Sequence, residues 1–168
     1  TFYVRSKFNI LHLNVNSIQH KLSQIEPILN LGSFDLFSIN ESKLDSKIPI
    51  GFYNHRSYNI IRRDRDFGGE SGRGGGILAF IKKGYKYKVT LSPNLEFMSI
   101  IIKLKNTEIN MIVAYKSPKT NCLEFLNEFE NFLLSQDLTK SIVVVGDLNM
   151  NLLCDQDGNF VSTSGRHL

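Results

Sequence analysis

At 168 residues, 42% apolar and 21% charged, the chain has the size and make-up of one soluble globular domain, with little left over for a second. Its net charge of +4 is unevenly spread: fourteen Lys/Arg against seven Asp/Glu in residues 1–90, and six against nine in 91–168. The basic first half suits a polyanion such as nucleic acid, although solubility alone accounts for it equally. No apolar run reaches the length of a membrane span, and the lone, distant Cys122 and Cys154 exclude a disulfide framework and fit a reducing, intracellular compartment.

Residues 1–10 lack the apolar core of a signal peptide, and the first residue is Thr, which predicts a fragment, a processed product or a trimmed domain. Phe8–Val15 reads as a strand. Ser17 is then a candidate N-cap for a helix with Leu22, Ile25, Ile28 and Leu29 at helical spacing, and Pro27 predicts a kink or an early end. Phe34–Glu41 is a second strand, so the order strand–helix–strand suggests a crossover unit with Glu41 at its far end. A third strand starts at Tyr58 and runs into Arg62-Arg63-Asp64-Arg65. The glycine-rich stretch 68–76 follows, with Arg73 inside it. It lacks the Gly-Lys-Ser/Thr ending of a nucleotide-cradling loop and leads into a strand, so it reads as a basic surface loop or one that touches a phosphate backbone.

Ile77–Ile81 is that strand, continued by Tyr85–Thr90 after a turn at Lys83-Gly84. Residues 96–115 read as a hairpin, Ile100, Ile102 and Leu104 on one arm facing Ile109, Met111 and Val113 on the other. Asn121-Cys122-Leu123-Glu124 resembles a capping box opening a helix whose stripe is Cys122, Leu126, Phe129 and Leu133. The β-branched run Ile142–Val145 then reads as a strand buried on both faces, ending at Gly146. If the chain stays extended, Asp147 and Asn149 point to one side. A carboxylate and a carboxamide there suit phosphoester chemistry, whereas Gly-Asp-Leu-Asn taken alone is simply a turn. Four strands thus end in polar residues, Asn14, Glu41, Tyr115 and the Asp147/Asn149 pair, and strand ends along one edge of an α/β sheet commonly build the active site.

In this order, Leu13–Ile18, Ile39–Leu44, Gly74–Leu78, Val113–Pro118 and Gly146–Asn149 resemble the endonuclease/exonuclease/phosphatase superfamily. The closer likeness is to the apurinic-type endonuclease domain of non-LTR (LINE-like) retrotransposons. The resemblance implies a DNase I-like, four-layered α/β sandwich spanning residues 1–168. It implies a magnesium-dependent enzyme, with manganese as a substitute, that nicks target DNA for an attached reverse transcriptase domain. No membrane and no small-molecule cofactor are implied, and the location is the nucleus if the element is active. By the same resemblance Glu41 is the principal metal ligand and Asn14 supports it. Tyr115 contacts the scissile phosphate, Asp147 orients or deprotonates the attacking water, and Asn149 stabilises the transition state. Arg62, Arg63, Arg65 and Arg73 are the expected phosphate-backbone contacts.

The family's domain continues to a further Asp and a Ser-Asp-His motif that the sequence does not contain, and His167 has no Ser-Asp before it. The chain is therefore expected to be an incomplete domain, missing its C-terminal part and inactive by itself. The alternatives are a non-catalytic remnant with residual metal or nucleic-acid binding, or a phosphatase of the same superfamily.

Overall fold

A computed structural model describes residues 7–65 and 74–150. Sheet A has the order β1-β2-β4-β3, from Ile10–Asn14, Leu36–Asn40, Ile77–Lys82 and Tyr58–Arg63. Sheet B has the order β5-β6-β7-β8, from Lys86–Leu91, Glu96–Lys103, Glu108–Tyr115 and Ser141–Asp147. Each sheet holds one parallel pair, β1 with β2 and β7 with β8, and a helix links the two strands of each pair: α1 (Leu22–Leu31) and α2 (Cys122–Leu134).

Alternation along the strands fixes the layers. Phe37 and Ile39 turn outward onto Ile25 and Leu29 of α1, and Ile112 and Ala114 turn onto Phe125 and Phe132 of α2. The opposite faces meet each other: Leu36, Ala79 and Ile81 from sheet A pack on Ile100, Ile102, Met111 and Val113 from sheet B. The result is the expected four layers, helix, sheet, sheet, helix.

Several local expectations change. Helix α1 starts after Lys21, not Ser17, because the intervening backbone is drawn to the end of β2: Ser17 N–H donates to Glu41 O at 2.7 Å and Ile18 N–H to Ser42 O at 3.0 Å. Pro27 stands exposed inside the helix without ending it, and Gly32, left-handed at φ 60°, closes it. The turn at Lys83-Gly84 is present, but the strand after it does not continue β4: β4 and β5 lie in different sheets. In α2, Asn121 caps as expected, accepting from Leu123 and Glu124 N–H, but the buried stripe runs through Phe125 and Phe132 while Leu126 is exposed. Phe97 decides this, because its ring touches those of Phe125, Phe129 and Phe132 at 5.7, 5.4 and 5.0 Å. Strand β8 is not buried on both faces. Among the described residues it pairs only with β7, and Val144 is 44% exposed.

Candidate active site

The parallel strands β1, β2, β7 and β8 all end at the same edge of the sandwich, between its two sheets. Ile10 on β1 and Val143 and Val145 on β8 pack in the inter-sheet core, so Asn14 and Asp147, in step with them, face the same cleft. Asn14 Nδ2 donates to Glu41 Oε1 and to Asp147 Oδ2, both at 2.8 Å. One amide therefore ties together two carboxylates that come from opposite sheets. Tyr115 lies directly across from Asp147 in the β7–β8 register. Asn40 Nδ2 crosses between the sheets below them and donates to Ala114 O at 2.8 Å.

Glu41 follows β2 in the left-handed region, at φ 53°, as does Lys43 at φ 52°. A non-glycine residue held there costs on the order of 1–3 kcal/mol, so neighbours must impose it. They do: Ser42 N–H donates to Gly76 O at 3.1 Å and Lys43 N–H to Gly75 O at 2.8 Å. Gly75 and Gly76 are themselves left-handed, and a Cβ on Gly76 would meet Ser42 Oγ at 2.6 Å. The glycines before β4 thus form the bracket that presents Glu41.

Asn149 does not continue the extended strand. Its φ of 45° turns the chain, its N–H donates to Asp147 Oδ1 at 3.1 Å, and its Nδ2 donates to Lys116 O at 2.8 Å, beside Tyr115. Strand alternation is therefore not what brings Asp147 and Asn149 together; the turn does. The four basic residues part company. Arg62 donates to the Asp64 carboxylate and to the carbonyls of Ile48 and Asp45, and Arg63 donates to the carbonyls of Ser92, Asp64 and Pro93. Both guanidinium groups are engaged in holding loops. Arg65 reaches the site: it donates to Glu96 Oε2 at 2.8 Å and lies 5.7 Å from the centre of the Tyr115 ring. Arg73 lies outside the described residues.

Burial pushes the Tyr115 phenol up to about 12, with the charge and hydrogen bond of Glu41 adding to the shift and Arg65 opposing it. The folded state thus holds this proton more tightly than the unfolded chain. That contribution to stability is complete below about pH 10 and is lost as the pH climbs towards 12. The urea midpoint should therefore fall more steeply across that window in the wild type than in Tyr115→Phe. Parallel curves would show that the phenol is not held neutral by the site.

Sequence reasoning missed His12. It lies two residues before Asn14 on the same face, its Nδ1 is 2.9 Å from Ser38 Oγ, and burial pulls its pKa down against the opposing charge of Asp147. His12 Nε2, Asn40 Oδ1 and Ser42 Oγ are buried polar atoms without a hydrogen-bond partner among the described residues, all within two residues of Asn14 or Glu41. Such orphans are uncommon, and each calls for a partner such as an ordered water, an ion or a ligand. No three His, Cys, Asp or Glu side chains cluster as a metal site among the described residues. The oxygens that face one another here are those of the Glu41 and Asp147 carboxylates, the donor type a hard cation such as Mg²⁺ takes while keeping several waters, whereas Asn14 turns its Nδ2 to them and its Oδ1 to Asn16 N–H.

No protein-family model and no curated protein sequence matches the chain. Solved structures do. An AP endonuclease from Archaeoglobus fulgidus is similar at 20% identity and a TM-score of 0.63, over 88% of this chain and 59% of that one. The endonuclease domain of TRAS1, a telomere-specific non-LTR retrotransposon, is similar at 14% identity and a TM-score of 0.61, over 86% and 60%. The 3′ phosphatase NExo from Neisseria, bound to a product DNA hairpin, is similar at 17% identity and a TM-score of 0.58, over 90% and 63%. These neighbours belong to the endonuclease/exonuclease/phosphatase superfamily, and the chain has their DNase I-like fold. It spans about three fifths of their length.

Proposed function

We propose that the chain carries the phosphodiester-hydrolysing site of a divalent-metal-dependent DNA endonuclease, of the type that nicks a target for reverse transcription in non-LTR retrotransposons. The observation that carries this reading is the Asn14 amide, 2.8 Å from the Glu41 and Asp147 carboxylates that opposite sheets supply. Glu41 would hold Mg²⁺, or Mn²⁺ in its place, and Asn14 would join it with its amide turned so that Oδ1, which here accepts from Asn16 N–H, faces the carboxylates. The ion, when bound, supplies Lewis-acid stabilisation of charge on the phosphate.

The chain's own groups then divide the remaining work. Asp147 is fixed at both oxygens, by Asn14 Nδ2 and by Asn149 N–H, and so presents an oriented carboxylate that can accept a proton from an attacking water. Tyr115 stays neutral at physiological pH, hydrogen-bonded with Glu41, and its phenol would donate to a phosphate oxygen brought beside it. Asn149 commits one amide hydrogen to Lys116 O and keeps the second for a developing oxyanion. Arg65 is the basic residue placed to meet a phosphate beside Tyr115, while Arg62 and Arg63 shape the loops around it. Arg73 is proposed to join the phosphate contacts. A reverse transcriptase domain is the proposed partner in a complete element, with the nucleus as its place of action. No helix of the described residues is long and apolar enough to cross a membrane.

Calorimetric titration with Mg²⁺ and Mn²⁺ tests the reading. The wild type should bind either ion weakly and Glu41→Gln should lose the binding. Identical isotherms for the two proteins would exclude Glu41 as a ligand. The same site could serve a phosphatase of this superfamily. Release of inorganic phosphate from 3′-phosphorylated DNA, with no nicking of plasmid, would select that reading.

A further inference from the structure

At the other end of the sandwich a groove of about 710 Å³ opens between the start of β1, the β4–β5 crossing and the β6–β7 turn. Four lysines line it, Lys7, Lys86, Lys103 and Lys105, and among the described residues no carboxylate does. All four are exposed, and among the described residues none is recorded in an ion pair or hydrogen bond. Lys86 and Lys103 are direct cross-strand partners. Like charges so placed destabilise a sheet, and the usual remedy is an acid beside them. The acids nearby are committed elsewhere. Glu108, the other cross-strand neighbour of Lys103, is 2.7 Å from Lys140. Asp35 is buried, accepting from Asn9 N–H at 2.8 Å and from Tyr85 Oη at 3.1 Å. The half-buried rings of Phe8 and Tyr85 meet edge to face at 5.4 Å in the lining.

We infer that this groove is a second, non-catalytic site that binds a single-stranded nucleic-acid segment. Lys86 and Lys103 project from the outer face of sheet B and the rings pack at the edge of its inner face, so at the rim of the groove lysines meet aromatic rings, the combination that tracks a phosphate backbone and stacks bases without reading sequence. Lys103 stands opposite Glu108 at the start of β7, and Tyr115 ends that strand, so the groove lies roughly 25 Å from the candidate active site at about 3.4 Å per residue. A strand held there does not occupy the hydrolytic cleft. The inference goes beyond the proposed activity and stands without it.

Anisotropy of a fluorescent oligo(dT) titrated with the 168-residue chain, in EDTA to silence hydrolysis, tests this. Lys103→Ala with Lys105→Ala should weaken binding by about tenfold or more. Loss of two phosphate contacts should also flatten the slope of log K against log[salt] by about 1.4. Lys86→Glu faces Lys103 and should weaken binding while raising Tm, a pairing of effects that misfolding cannot produce. Affinity that survives all three substitutions would overturn the inference. So would affinity lost in Glu41→Gln and kept in the lysine variants, duplex of equal length bound as tightly, or inorganic triphosphate displacing the strand at equal phosphate concentration. None of these outcomes bears on metal binding at Glu41.

Discussion

Gly146→Ala should leave little folded protein. A Cβ at this position would sit 1.9 Å from Ala114 O and 2.8 Å from Ala114 C, both backbone atoms of the neighbouring strand. No rotamer change relieves such a contact, so β7 and β8 must part where they pair Ala114 with Gly146 and Tyr115 with Asp147. Overpacking that side chains can absorb costs about 1–3 kcal/mol, and a clash with a fixed strand belongs at or above the top of that range. Total stability is only about 5–15 kcal/mol. Gly84→Ala is the control: at φ 101° it carries backbone strain, but nothing lies within 4 Å of its Cβ. Urea midpoints should drop far more for Gly146→Ala than for Gly84→Ala. A Gly146→Ala midpoint equal to that of the wild type would mean the strands do not approach as closely as described.

The second large effect is chemical. In whatever length of chain supports nicking of supercoiled plasmid with Mg²⁺, Asp147→Ala should slow the reaction by about a thousandfold or more. That is the scale for losing one member of a catalytic unit, about 4 kcal/mol of transition-state stabilisation. Asn14→Ala should also cost activity, because it releases both carboxylates from their shared amide. The informative comparison is Asp147→Asn, which keeps the shape and removes the base. If Asp147→Asn nicked at the wild-type rate, the carboxylate would not be the proton acceptor.

Much of this site was legible because strand ends are legible. Apolar runs stop at Asn14, Asn40, Tyr115 and Gly146, and parallel strands linked through helices must end on the same side. What escaped was whatever depends on partners far away in the chain. Nothing around Arg65 in sequence points to Glu96, thirty-one residues on, and nothing near Arg62 says that the carbonyls of Asp45 and Ile48 will claim it. His12 looked like an ordinary strand residue, since only the docking of β8 places Asp147 close enough to act on it. The stripe on α2 was ambiguous because apolar residues lie on both sides of Phe129, and Phe97 on another strand breaks the tie. The burial of β8 on both faces was misjudged for a related reason: a β-branched run records strand preference and not how many of its faces are covered.

Among the described residues each sheet is drawn from one part of the chain, the strands between 10 and 82 for sheet A and those between 86 and 147 for sheet B, with a single crossing at Gly84. The bond from Asn14 to Asp147 spans 133 residues and closes only once the two stretches have met. The candidate active site is in effect an interface between two halves of one chain, with one half supplying Asn14 and Glu41 and the other Tyr115, Asp147 and Asn149. Any parting of the two halves along the seam between the sheets therefore separates these residues while leaving each sheet's own hydrogen-bonded ladder intact.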